Sequence, residues 1–70
     1  MAISEGDQVR WKWGGGHGHG TVQSIFPEKT TRTIDGTEIT RDGSVDDPAC
    51  YVRVDDGNNV LKLASELERT

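Results

Sequence analysis

The sequence predicts an all-β fold, a small barrel of five or six short antiparallel strands with one short helical turn near the C-terminus. Three observations lead there. Apolar residues recur with a period of two, as in "QVRWKW" and "ACYVRV", which is the pattern of half-buried strands. Turn formers cut the chain at short intervals, at "EGD", "GGG", "IDG", "DGSVDDP" and "DDGNN". No stretch carries a sustained helical repeat, and short strands without a long helix close into a barrel or small sandwich, which also hides sheet edges.

Taken in order, "QVRWKW" is the first strand, with Val9, Trp11 and Trp13 on one face and Gln8, Arg10 and Lys12 on the other. "GGGHGHG" is expected to break it, because consecutive glycines hold an extended conformation poorly. "TVQSIF" is the second strand, limited by Pro27. In "TTRTIDGTEITR", Asp35-Gly36 is a favoured type I′ hairpin turn. It predicts Ile34 opposite Thr37, Thr33 opposite Glu38, Arg32 opposite Ile39 and Thr31 opposite Thr40. Arg32, Ile34 and Ile39 then share one face, the other face is wet, and the hairpin projects from the body at its tip. "ACYVRV" turns Cys50, Val52 and Val54 one way and Tyr51 and Arg53 the other. "VLKL" is a short last strand. "SELE" fits a capping box with Ser65 as N-cap, and Leu67 folds back to close one end of the core.

Seventy residues make a single domain, residues 1–70. Strand count and length fit an SH3-like or Tudor-like barrel better than an oligonucleotide-binding barrel, which uses more chain and a helix. Only 31% of residues are hydrophobic, so the core is thin and stability modest. No apolar run is long enough to span a membrane as a helix. The first residues are acidic and lack the apolar region of a secretory signal, so a cytoplasmic protein is expected. Cys50 is the only cysteine and lies among apolar neighbours, which predicts a buried, inert thiol. The net charge is −4, and the excess acid lies C-terminal: residues 1–41 carry five basic and five acidic side chains, residues 42–70 three and seven. That balance disfavours a general nucleic-acid grip, leaving a local basic face from Arg10, Lys12, Lys29, Arg32 and Arg41.

The ordered pieces "EGDQVRWKWGGGHGHGTV" and "TRTIDGTEITRDGSVDDPACYVRVDDGNNVLKLASEL" resemble the hypervirulence-associated protein Tudor domains, small and mostly bacterial proteins. The resemblance runs from about Gly6 to Leu67 and implies a Tudor/SH3-like barrel and no established reaction. Where that family often has Ser-His before Ser-Glu-Leu, this chain has Leu63-Ala64, so no role of that histidine carries over.

Residues 9–22 hold both tryptophans, both histidines and five of the nine glycines. His17 and His19 are two apart and face one side of an extended segment, a pattern that suits a metal ion. A structural zinc needs four ligands, however, and the only cysteine is about thirty residues away. No metal or other cofactor is expected. A phosphate loop needs a following helix or a Lys-Ser/Thr pair, and Thr21-Val22 opens a strand instead. The turn aspartates Asp42, Asp46, Asp47, Asp55 and Asp56 have no calcium-loop spacing. No nucleophile–base set suggests an enzyme.

The aromatics carry the most functional weight, since Tudor-like domains use clustered aromatic faces to hold methylated ammonium groups. The expected function is a non-catalytic interaction module that binds an unidentified protein or peptide on an aromatic, glycine-rich face. Trp13, Tyr51, His17, His19, Arg10 and Lys12 are the candidate binding residues, with Trp11 in the core and Trp13 at the rim. The alternatives are a nucleic-acid-binding accessory protein and a stress-related structural protein without a small ligand.

Overall fold

The computed structural model describes residues 3–55 and 57–70; the turn acid Asp56 falls outside them. The strands are β1 (Gln8–Trp13), β2 (Gly16–Phe26), β3 (Lys29–Ile34), β4 (Thr37–Asp42), β5 (Ala49–Val54), β6 (Asn59–Leu63) and β7 (Glu68–Arg69), with a 3-10 turn at Ala64–Glu66. Five form one antiparallel sheet in the order β6-β5-β2-β1-β7, and β3-β4 form a separate two-stranded sheet. The all-β barrel-like architecture and the helical turn near the C-terminus are as predicted. The two-residue β7 is additional, since two residues carry no periodicity to read.

The glycine-rich stretch departs from expectation. It ends β1 at Trp13, as expected, but the break is only two residues long. Only Gly14 and Gly15 form the turn, and β2 begins at Gly16 and runs in register with β1 from Trp13↔Gly16 to Gln8↔Thr21. Gly14 has φ +54°, the positive first position of a type II′ hairpin turn. What holds Gly18 in a strand is its cross-strand partner Trp11, whose indole lies where a Cβ on Gly18 would be. The large ring supplies the contact that the glycine lacks.

β2 also changes phase along its length. Val22 pairs with Val52, but Ser24 pairs with Tyr51 and Ile25 with Cys50, so Gln23 is the extra residue of a β-bulge. The bulge turns Ile25, three residues after Val22, toward the same core. Val9, Trp11, Val22, Cys50, Val52 and Leu67 are buried there together, each buried aliphatic side chain contributing about 1.5–3 kcal/mol. Leu67 closes one end of the core, as its place after the helical turn predicts.

The β3–β4 register matches the type I′ prediction pair for pair, from Ile34↔Thr37 to Thr31↔Thr40. Asp35 and Gly36 both have positive φ, 52° and 76°, as that turn requires. The wet face carries a hydrogen bond between the Thr31 and Thr40 hydroxyls at 2.8 Å. The other face leans on β6 rather than projecting freely. Ile34 and Ile39 border a 190 Å³ gap with Val60 and Leu61, and Leu61 is fully buried.

The capping of the 3-10 turn also differs. Ser65 is inside the turn, not its N-cap; Leu63 holds that position and its N–H donates to Glu66 Oε1 at 2.9 Å. Ser65 has a stronger tertiary use. Its backbone N–H and its hydroxyl both donate to the Asp47 carboxylate, at 2.7 and 2.8 Å, tying the loop before β5 to the turn. Glu66 also faces Arg41 Nε at 3.5 Å, which links the β3–β4 hairpin to the same turn.

Cys50 is wholly buried, as expected. Burial, reinforced by the nearby Asp47 charge, pushes its thiol up to about 11 from an ordinary 9.0. At pH 8 a maleimide is expected to leave Cys50 unmodified in the folded protein and to label it in urea; equal labelling would show the thiol to be accessible. The unfolded chain ionises first, so this contribution to stability is fully present below about pH 9 and is lost as pH rises through about 11.

Candidate binding surface on the first hairpin

The six residues singled out in the sequence separate into three places. Cross-strand partners share a sheet face, and the pairs Arg10↔His19 and Lys12↔His17 set those four side chains together on the outer face of β1–β2. The two histidines share a face, as their spacing predicts. Trp13 belongs to the opposite face with Val9 and Trp11, at the far end of β1. Tyr51 lies on β5, opposite Ser24 and Leu61 and half-buried. Trp13 and Tyr51 therefore do not form one aromatic face: strand alternation puts them on opposite sides of the sheet.

The two tryptophans differ sharply. Trp11 is 4% exposed and Trp13 70% exposed. Both have the same phase in β1, so coverage makes the difference. β7 pairs with β1 only at Val9 and Arg10, and β5 pairs with β2 only from Gly20 onward. The end of the hairpin around Trp13 extends past both neighbours, and a ring there has no core beneath it.

The charges around the hairpin are unevenly engaged. Arg10 Nε lies 3.6 Å from Glu68 Oε1 across the β1–β7 ladder, and Arg69 Nε lies 3.4 Å from Asp7 Oδ2. Exposed pairs of this kind are worth about 0–1 kcal/mol, so the register of the short β7 rests on its backbone pairing with β1. Lys12 has no ion pair among the described residues. The wider basic face does not assemble: the Arg32 guanidinium stacks 4.5 Å over the Phe26 ring, and Arg41 turns to Glu66. No group of three or more His, Cys, Asp or Glu side chains gathers to hold an ion among the described residues.

Sequence reasoning missed one concavity. A groove of about 620 Å³ lies away from Trp13, lined by Ile3, Val45, Pro48, Ala64 and Leu67 together with polar residues that include Asp46 and Arg69. Val45 is 83% exposed there. A valine among turn formers in "DGSVDDP" was the available signal, but the groove is assembled from segments far apart in the chain. Among the described residues no helix is long and apolar enough to cross a membrane.

No curated protein and no solved structure matches the chain. Residues 6–67 match the family model of the hypervirulence associated proteins TUDOR domain, so the chain belongs to that family, within a class of small interaction modules that is in general non-catalytic.

Proposed function

We propose that this domain binds a protein or peptide, with Trp13 as the anchor. The exposure of Trp13, against the burial of Trp11 two residues away, carries the reading. A tryptophan left 70% in water on a regular strand contributes little to this fold. The same ring buried against a partner is the kind of residue that dominates an interface. Its rigid attachment to a paired strand lowers the ordering cost of binding. Lys12, a cation with no ion pair among the described residues, lies on the other side of the ribbon beside Arg10, His17 and His19, which adds charge selectivity.

The test is selection of peptides from a displayed library on the wild-type domain, followed by affinity measurement on Trp13→Ala. The variant is expected to keep its melting temperature and to lose at least about 30-fold in affinity, the equivalent of 2 kcal/mol. Unfolding of Trp13→Ala, or selected peptides that bind it equally well, removes Trp13 as the anchor.

A further inference from the structure

We infer that the open edge of β1 beside Trp13 takes an extended peptide strand with an acidic side chain between two apolar ones; this rests on the Trp13 reading and specifies its partner. Along one edge β1 pairs with β2 over its whole length. Along the other it pairs with β7 at Val9 and Arg10 only. That ladder stops because the chain before Glu68 turns away, with Leu67 buried in the core and Ala64–Glu66 in the 3-10 turn. From Trp11 to Trp13, about 7 Å at the rise of a strand, this edge has no strand partner among the described residues.

Alternation tells which backbone groups are free. The Thr70 N–H donates to the Gln8 carbonyl at 3.0 Å, so Gln8 presents its backbone toward the β7 side. Backbone direction in an antiparallel strand repeats every second residue, so Arg10 and Lys12 present theirs the same way. The N–H and C=O of Lys12 are the groups left at the edge, a template for strand addition.

The side chains set the chemistry of the incoming strand. A residue opposite Lys12 shares the outer face with the Lys12 ammonium, with His17 as the next cross-strand neighbour. Its two flanking residues fall on the other face, against Trp13 and the margin of Trp11. The chain holds a precedent one step along the same edge, where Glu68 lies opposite Arg10 in the β7 ladder and pairs with it at 3.6 Å. A second copy of this chain fits less well: two β1 edges meeting about a two-fold axis at Lys12 bring the two Lys12 side chains directly opposite, and like charges so placed are unfavourable.

The probe is a short acetylated peptide alternating Val and Glu, titrated into the labelled domain and read by amide hydrogen exchange and by the Trp13 indole signal. Saturation is expected to slow exchange at the Lys12 amide by about 10-fold or more. N-methylation of the peptide nitrogens that face the domain is expected to weaken binding by about 10-fold. Lys12→Glu is expected to reject this peptide and accept one alternating Val and Lys. Binding that shifts Trp13 without slowing exchange at Lys12 overturns the edge proposal and leaves the anchor reading standing. Binding to Trp13→Ala with full Lys12 protection overturns the anchor alone. Protection of Lys12 that grows with protein concentration in the absence of peptide assigns the edge to a second copy. An oligonucleotide that shifts the Lys12 side chain while the peptide does nothing assigns the cations to nucleic acid. Either of these last two results overturns the proposal.

Discussion

Trp11→Ala is expected to unfold the domain at room temperature or to lower its melt by some tens of degrees. Trp11 is the one aromatic side chain in the buried cluster; Phe26 and Tyr51 are half-buried and Trp13 is exposed. It touches the apolar group formed by Val9, Val22, Cys50, Val52 and Leu67. Its indole also covers Gly18, which has no side chain of its own to fill the space. Removing a buried Trp costs about 3–5 kcal/mol, because the surroundings collapse only partly into the void. A domain of this size has about 4–10 kcal/mol in total, so the loss is a large share of it. The far-ultraviolet dichroism of Trp11→Ala should show an unfolded chain at 25 °C, or a melt some tens of degrees lower. Trp13→Ala should melt with the wild type, and the contrast between the two is the sharper measurement. A Trp11→Ala protein as stable as the wild type would mean that the cluster does not depend on the ring.

The same pair shows how far the sequence could be read. Period two puts Val9, Trp11 and Trp13 on one face, and that is correct. Periodicity is silent on how far along β1 the neighbouring strands reach, and this alone separates a core tryptophan from an exposed one. The Asp35-Gly36 hairpin was legible residue by residue, because a two-residue turn of fixed type leaves no freedom in the register. The glycine stretch was misread for the opposite reason. Local propensity counts against a strand there, and the compensating indole comes from the other strand. The bulge at Gln23 is where the phase of "TVQSIF" breaks, and only the pairing partner reveals which residue is extra. Ser65 was misassigned because a capping sequence carries no sign that an aspartate eighteen residues earlier already holds it. Of the candidate site, the residue types were visible but not their division between faces. Tyr51 and Trp13 have compatible chemistry and lie on opposite sides of the sheet.

Gly20→Ala is expected to be the most damaging small substitution in the first hairpin, lowering stability by about 1–3 kcal/mol. Gly20 sits mid-sheet, between Val9 on β1 and Val54 on β5. A Cβ at this position would overlap the Arg53 carbonyl oxygen and come within 2.8 Å of Val52 Cγ1. The first obstacle is backbone of a paired strand, which cannot rotate aside as a side chain can, so β2 and β5 must separate or slide. Both strands carry core residues, Val22 on one and Cys50 and Val52 on the other, so any separation loosens the cluster as well. Gly15→Ala is the matched control. A Cβ at Gly15 meets nothing within 4 Å and its φ is ordinary, so it should be neutral, or stabilising by about 0.4–1 kcal/mol through the unfolded chain. Urea midpoints of the two variants decide the matter. If Gly20→Ala unfolds no earlier than Gly15→Ala, the close approach of β2 to β5 is not what requires glycine there. If it unfolds well before, the glycines of this stretch have separable physical roles: Gly14 for the turn, Gly18 beneath the Trp11 indole, and Gly20 for the approach of β5 that places the core.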